Sequence, residues 1–169
     1  MTFDLLSLSL HHDLDVPVRV DRVVVRPLSS GDVDSIARIY LDSYPAAVGA
    51  SDFSSALDEI KTTLAGEYGQ LRTDASFVAE LGGSPIGAIF TTTSSIWDPD
   101  LGGPFIIDLF VSPNHRQSGA GRALLIESIK ACVANKDSAL SLRTGNGTSP
   151  HAHSLYKRLG FVPIPSHSS

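Results

Sequence analysis

Apolar and polar positions alternate along the first part of the chain in the manner of β-strands. In FDLLSLSL, residues 3–10, leucines fall on one face and serines on the other. The alternation recurs in VPVRVDRVVVRPL, residues 16–28, which becomes continuously apolar toward its end. The pattern therefore predicts two strands joined by the polar segment HHDLD.

Helical periodicity begins after Ser29, a good N-cap with Asp32 three residues on, and continues to Tyr40. A weaker helical pattern covers residues 53–68, and residues 75–96 predict two strands joined by a glycine-containing hairpin. The later elements are a strand over 104–111, a helix over 122–135, a strand over 138–144, a helix over 150–160 and a strand over 161–164. This order predicts one α/β (α+β) domain over residues 1–169, with a mixed sheet and helices on its faces.

Composition and charge exclude some classes of function. The chain has 169 residues, of which 42% are hydrophobic and 18% charged, and its net charge is −5. With no run of lysine or arginine, nothing points to nucleic acid or to a membrane surface. A mildly acidic protein is compatible with a cationic substrate.

Cysteine use and the N-terminal segment bear on location. Cys132 is the only cysteine and shares a helical face with Leu125 and Ile129, so we expect a buried core thiol and no internal disulfide. No apolar stretch approaches membrane-spanning length, and the first residues make a poor signal peptide because they carry no early positive charge. We therefore expect a cytoplasmic location.

Small residues cluster where the strand over 104–111 leads into a helix. The stretch NHRQSGAGRALL places Gly119, Ala120 and Gly121 at that helix start. Free N–H groups and the helix dipole make such a terminus a phosphate site when no side chain blocks the backbone, and Arg116 and Arg122 flank it. The residues after the glycines fit neither a P-loop nor a dinucleotide fingerprint. A turn without a ligand is the alternative.

Two motifs resemble those of one known family. LFVSPNHRQSGAGRALL resembles the cofactor-binding motif of the GCN5-related N-acetyltransferase superfamily, and SLYKRLGFVPI resembles its recurrent C-terminal ending. The resemblance implies a mostly antiparallel sheet flanked by helices. It also makes residues 105–125 an acyl-coenzyme A-binding strand, loop and helix, and residues 149–164 the C-terminal helix and last strand.

The resemblance further implies acetyl-coenzyme A as the acyl donor. Its diphosphate would lie on backbone N–H groups of the glycine loop, and its pantetheine arm would pair with the preceding strand. The implied cofactor-binding residues are Leu109, Phe110, Val111, Arg116, Gln117, Ser118, Gly119, Ala120, Gly121, Arg122, Ser149, Ala152 and Tyr156.

Acyl transfer to an amine needs a base, an oxyanion donor and a proton for the departing thiolate. Tyr156 matches the family tyrosine near the coenzyme A sulfur, and its phenol can donate a proton to the departing thiolate. A backbone N–H at Phe110 or Val111 would stabilise the oxyanion. Asp108, whose pKa burial would raise, is a candidate base, although it could instead pair with an arginine or bind the substrate ammonium. Glu80 or a chain of waters are the alternatives.

Other polar residues carry weaker predictions. His151 and His153, two positions apart on a helix, make a poor metal pair, so no metal is assigned. In the turn-rich loop around Trp97, Asp98 and Asp100, these side chains could line an entrance for a cationic group or simply shape the turn.

The sequence departs from the family at both ends. Ser149 stands where many members have an asparagine, and the chain stops before the strand that usually follows the last one here. Residues 1–20 supply extra strand-like material instead. We expect this N-terminal extension to cover the exposed sheet edge, within the chain or across a homodimer.

The combined pattern predicts an acetyl-coenzyme A-dependent N-acyltransferase in which an amine attacks the thioester directly. The acceptor would be a primary amine of a small molecule, a peptide or a protein N-terminus. A non-catalytic acyl-coenzyme A-binding or regulatory module is the alternative, and an unrelated structural domain would require both motifs to be accidental.

Overall fold

The computed structural model describes residues 3–145 and 147–165, which form one seven-stranded sheet and four α-helices. The strands are β1 Asp4–Ser9, β2 Val24–Pro27, β3 Phe77–Leu81, β4 Ser84–Thr92, β5 Phe105–Val111, β6 Ala139–Thr144 and β7 Val162–Ile164. The α-helices are α1 Val33–Ser43, α2 Phe53–Leu64, α3 Ala120–Ala134 and α4 Pro150–Arg158. No helix among them is both long and apolar enough to span a bilayer.

The strand order is β2-β3-β4-β5-β6-β1-β7. Only β5 and β6 run parallel, and every other neighbouring pair is antiparallel. Side chains of α1 and α2 form one core with one sheet face, and those of α3 and α4 form a second core with the other. The predicted mixed, mostly antiparallel sheet flanked by helices is confirmed.

Local signals in the sequence set several element ends. The Ser149 hydroxyl accepts the Ala152 N–H at 3.1 Å, and Pro150 opens α4. The β3–β4 hairpin turns at Gly82 and Gly83, both with positive φ, a conformation that only glycine adopts without strain. The predicted hairpin and the predicted helix start at residue 150 are confirmed.

The N-terminal strand lies inside the sheet. β1 pairs with β6 from Asp4 opposite Thr144 to Ser9 opposite Ala139. On its other side, residues 5–7 pair with β7. β1 therefore covers the edge of β6 within the chain, which is one of the two arrangements expected for the N-terminal extension.

The strand predicted over residues 16–28 is wrong for its first half. Only Val24–Pro27 is a strand, and Val18 and Val20 are 83% and 91% exposed. The preceding segment instead crosses α3, where Arg19 forms ion pairs with Asp21 at 2.7 Å and with Glu127 of α3 at 3.2 Å. Alternation alone does not make a strand when no partner strand lies alongside.

If β1 stabilises the sheet, Leu8→Ala should lower the free energy of unfolding by about 2 to 4 kcal/mol, because it empties a buried position. Leu8 is 5% exposed and packs close to Gly160. Val18→Ala, which shortens an exposed side chain of the same N-terminal region, should change it by less than about 0.5 kcal/mol. Urea unfolding of both variants measures the difference, and equal stabilities would contradict a structural role for β1.

Candidate active site

A gap opens between β5 and β6 partway along the two strands. They pair only at Phe105 opposite Ser141 and Ile106 opposite Leu142. Just beyond, the register of β5 against β4 shifts, since Thr91 faces Ile106 while Phe90 faces Asp108. Such a shift bends a strand away from its neighbour. The rest of β5 is thus paired with β4 alone.

The register also fixes which backbone groups of β5 face this gap. Ser112 N–H donates to Ile86 O at 2.7 Å, so the backbone N–H and C=O groups of Ser112 face β4. By antiparallel alternation the backbone groups of Phe110 also face β4, whereas those of Leu109 and Val111 face away from it. Two contacts agree with this orientation. The Leu109 carbonyl lies 3.3 Å from the Tyr44 hydroxyl, and the Val111 carbonyl lies 3.1 Å from the Ser43 hydroxyl. Of the two predicted oxyanion donors, Val111 is the one whose N–H faces the gap.

The glycine loop ends in a helix terminus with free donors. The first helical hydrogen bond of α3 runs from Ala123 N–H to Gly119 O at 2.9 Å, and the Ser118 hydroxyl accepts Ala120 N–H at 3.3 Å. Within residues 3–145 and 147–165, the N–H groups of Gly121 and Arg122 have no hydrogen-bond acceptor. The loop therefore offers donors and partial positive charge where an anion can approach.

The two glycines of this loop are required for different reasons. Gly119 has φ of 85°, and a Cβ there would lie 3.3 Å from the Cβ of Asp21. Its backbone needs glycine even without a ligand. Gly121 has no such constraint, because a Cβ there would make ordinary contacts with Val111 at 3.8 Å and Leu155 at 3.9 Å. The ligand-free-turn alternative thus accounts for Gly119 but leaves Gly121 unexplained.

The basic side chains of the motif differ in position. The Arg116 guanidinium donates to the Ser43 carbonyl at 2.9 Å and so ties the loop to the end of α1. The Gln117 side chain is exposed, and that of Arg122 is partly buried. Arg122 forms no side-chain hydrogen bond with the described residues, which leaves its guanidinium available beside the helix terminus.

Asp108 lies on β5 at the gap, and the Tyr44 hydroxyl donates to its Oδ1 at 2.6 Å. Asp108 is partly accessible, yet the surrounding protein desolvates its carboxylate and raises its pKa to about 7. The hydrogen bond from Tyr44 opposes that rise. The predicted elevated pKa of Asp108 thus has a physical cause, and no arginine forms an ion pair with it among the described residues.

Tyr44 is a site residue that sequence reasoning missed. It follows α1 directly, and its ring packs edge-on against Phe110 with centroids 6.2 Å apart. Burial is the main cause that raises the pKa of Tyr44 far above its usual range, so it stays a donor to Asp108. The only signal in the sequence was an aromatic residue just beyond the apolar stripe of α1.

Tyr156 projects from α4 toward the same region. The residue is 7% exposed, and its ring packs edge-on against Phe161 at 5.9 Å. Burial, followed by the charge of Asp108, raises the pKa of Tyr156 to about 12. Its hydroxyl hydrogen-bonds to none of the described residues, yet it is not a fully enclosed polar atom. A protonated phenol therefore faces accessible space.

Two other predicted carboxylates are already paired. Glu80 binds Arg26 at 2.7 Å, and β4 lies between its strand β3 and the strand β5 that carries Asp108, so Asp108 is the better candidate for the base. Asp98 binds Arg143 at 2.7 Å, so it does not offer a free charge to a cationic group. Trp97 in the same loop is 45% exposed and stacks on Tyr68.

The remaining predicted residues are accounted for simply. Ser149 uses its hydroxyl to cap α4, and Ala152 is partly buried on that helix. Cys132 is fully buried, and desolvation raises its pKa to about 12, so the predicted core thiol is confirmed. His151 and His153 are exposed, and the described residues contain no cluster of three side chains suited to a metal.

The unpaired side of β5 leads to the N-terminus of α3, where two N–H groups have no acceptor among the described residues. The model of the GNAT acetyltransferase family matches residues 33–161. The chain belongs to the GNAT acetyltransferase family. Membership supports N-acetyl transfer from an acyl-coenzyme A as its general activity. Among curated proteins, no sequence matches the chain.

Solved structures share this fold. A protein of Pyrococcus horikoshii OT3 aligns with a TM-score of 0.69 and 19% identity, over 87% of this chain and 93% of that one. A protein of Corynebacterium glutamicum described as histone acetyltransferase HPA2 and related acetyltransferase aligns with a TM-score of 0.65 and 21% identity, over 85% and 88%. The enzyme AAC(6')-Iy, solved with a coenzyme A bisubstrate analogue, aligns with a TM-score of 0.62 and 16% identity, over 88% and 95%.

The raised pKa of Asp108 has a consequence for stability. The pKa of Asp108 is about 7 in the folded chain and 3.8 in the unfolded chain, so between these pH values only the folded chain keeps the proton. The free energy of unfolding therefore falls as the pH rises from about 4 to about 7. Asp108→Asn should therefore be more stable than wild type at pH 8 by roughly 2 to 4 kcal/mol, with no gain below about pH 4. Urea unfolding across this pH range measures the difference.

Asp98→Asn provides the control with the opposite sign. The hydrogen bonds from Arg143 lower the pKa of Asp98, so its contribution is present at neutral pH and is lost as the pH falls through that lowered pKa. This variant should be less stable than wild type by about 1 kcal/mol at pH 7 and should approach it in acid. A destabilised Asp108→Asn at pH 8 would contradict the buried-carboxylate account.

Proposed function

We propose that this chain is an acetyl-coenzyme A-dependent N-acetyltransferase in which a primary amine attacks the thioester directly. One observation carries the proposal: the unpaired side of β5 runs into the free N–H groups of α3. A Cβ on Gly121 would lie only 3.8 Å from the Val111 side chain, so the strand and the anion site are contiguous. An arm that pairs like a strand and ends in a diphosphate fits this combination.

The binding residues follow from that fit. The arm would lie along the unpaired side of β5 beside Leu109 and Val111, where β5 lacks a partner strand. The diphosphate would accept from the N–H groups of Gly121 and Arg122, with the Arg122 guanidinium adding charge. Ala152, one turn before Tyr156 on α4, is small enough to leave room beside the arm.

The reaction can be written with these groups. Asp108 takes a proton from the incoming ammonium, and the neutral nitrogen attacks the carbonyl carbon to form the new C–N bond. A backbone N–H on the unpaired side of β5 stabilises the oxyanion that develops. Collapse breaks the C–S bond, Tyr156 supplies a proton to the departing thiolate, and the proton that the nitrogen then loses restores the phenol. The proton on Asp108 passes to solvent.

The pKa of Tyr156 limits how it can act. Full proton transfer is unfavourable from a phenol with a pKa of about 12 to a thiolate whose thiol has its usual pKa of about 8.5. The difference between the two pKa values narrows where desolvation raises the pKa of the thiol, as it does for Cys132 in this chain. We therefore assign Tyr156 a hydrogen bond to the sulfur that strengthens into proton transfer as the C–S bond breaks.

The acceptor in this proposal is the amine of a small molecule or a peptide. A cytoplasmic location and a homodimer stay predictions from the sequence.

Binding of the cofactor can be separated from folding at Gly121. Gly121→Asp adds a carboxylate to the first turn of α3, where acidic residues stabilise a helix but repel a diphosphate. Acetyl-coenzyme A affinity should fall at least tenfold by calorimetry, while the melting temperature holds or rises. Gly121→Ala, which adds bulk without charge, should bind within about threefold of wild type.

No binding by folded wild type would overturn the proposed function. Equal affinities of the Asp and Ala variants would show that the diphosphate lies elsewhere. Wild type that binds the cofactor but acetylates no amine in a broad panel would favour the non-catalytic module.

Tyr156→Phe tests the donor role. The hydroxyl has no protein partner among the described residues, so removing it should leave the melting temperature within about 1 °C. The kcat should fall by about 10- to 100-fold with little change in acetyl-coenzyme A affinity, because the lost interaction forms only as the thiolate departs. An unchanged kcat, or a loss of stability in place of activity, would remove Tyr156 from the mechanism.

A further inference from the structure

A cavity lies beside the proposed catalytic groups, on the α1 and α2 side of the sheet. It measures about 310 Å³, and its walls include Tyr40, Val48, Gly49, Ser55 and Glu59. Gly147, in the loop before α4, closes over the α1–α2 connection, since a Cβ there would lie 2.9 Å from the Val48 side chain. The cavity is thus bounded by the same α1 end that supplies Tyr44.

The charge in this cavity has one sign. Among the residues that line it, Glu59 is the only charged side chain, and none is lysine, arginine or histidine. The Tyr68 hydroxyl donates to Glu59 Oε2 at 3.1 Å, and Tyr68 stacks on Trp97, so the carboxylate is held in place. Its other oxygen, Oε1, has no partner among the described residues and remains free to accept.

The rings of Tyr40 and Tyr44 lie between the cavity and Asp108, and Glu59 is close enough to act on Asp108 through its charge. The Tyr40 ring lines the cavity and packs edge-on against Tyr44, with centroids 5.2 Å apart. Tyr44 in turn donates to Asp108. A carboxylate with a free oxygen next to an aromatic ring suits a cation, which gains both a charge-assisted hydrogen bond and the attraction of the ring. An anionic group would meet Glu59 without a compensating positive charge.

We infer that the acceptor is a diamine-like cation: one amine reaches Asp108 and the thioester, while a second positive group binds Glu59 and Tyr40. The inference rests on the proposed function and adds the class of substrate. It also agrees with the net charge of −5 on the chain. Glu59 is here a specificity-determining residue that takes no part in the chemical step.

Three amines of equal chain length test this inference: 1,4-diaminobutane, butylamine and 4-aminobutanoate, which end in an ammonium, a methyl and a carboxylate. With wild type, kcat/KM should be 10- to 100-fold higher for the diamine than for butylamine, and lowest for 4-aminobutanoate. Glu59→Gln should bring the diamine and butylamine within about threefold of each other. Asp58→Asn, a change to an exposed acid on the same helix, should leave the wild-type preference intact.

Calorimetric binding of the diamine and of butylamine to the protein gives a readout that needs no turnover. Wild type should bind the diamine at least tenfold more tightly, and Glu59→Gln should lose that advantage. Equal binding of the two amines by wild type, or a preference that survives Glu59→Gln, would overturn the inference. Such a result alongside tight acetyl-coenzyme A binding leaves the proposed function standing, whereas failure to bind acetyl-coenzyme A defeats that function separately.

Discussion

The parting of β5 from β6 after Ile106 is the constraint on which the rest of the site depends. Backbone groups without a strand partner are costly inside a protein, so neighbouring elements must satisfy them. The end of α1 packs against β5 on one side, where the Ser43 hydroxyl lies 3.1 Å from the Val111 carbonyl and the Tyr44 hydroxyl lies 3.3 Å from the Leu109 carbonyl. The same Ser43 accepts Arg116 from the glycine loop. The contacts at the end of α1 thus connect α1, β5 and the loop before α3.

Desolvation at this gap raises the pKa of both acidic groups that lie there. Desolvation raises the pKa of Asp108 to about 7 and contributes most to raising that of Tyr156 to about 12. A carboxyl that titrates near neutrality and a phenol that stays protonated are then complementary, because one can take a proton while the other holds one ready. The hydrogen bond from Tyr44 moderates the first value and keeps Asp108 from becoming too weak an acid.

Short-range signals predicted much of the fold. The cap at Ser149, the hairpin at Gly82 and the small residues at Gly121 are local, because each is fixed by neighbours along the chain. Asp108 could be found because a lone carboxylate interrupts an apolar strand. Tertiary partners were beyond reach: nothing near Tyr44 reveals that it meets Asp108, and nothing near Glu80 names Arg26. Residues 16–23 misled because alternation does not specify whether a partner strand lies alongside.

The place of β1 between β6 and β7 has a consequence for how the chain reaches this structure. Residues 4–9 leave the ribosome ahead of every other strand, yet their partners lie at 139–144 and 162–164. Closing so large a loop is entropically slow, and the apolar face of β1 stays uncovered throughout synthesis. The part of the sheet that contains β1 can therefore form only after residues 139–164 have been synthesised.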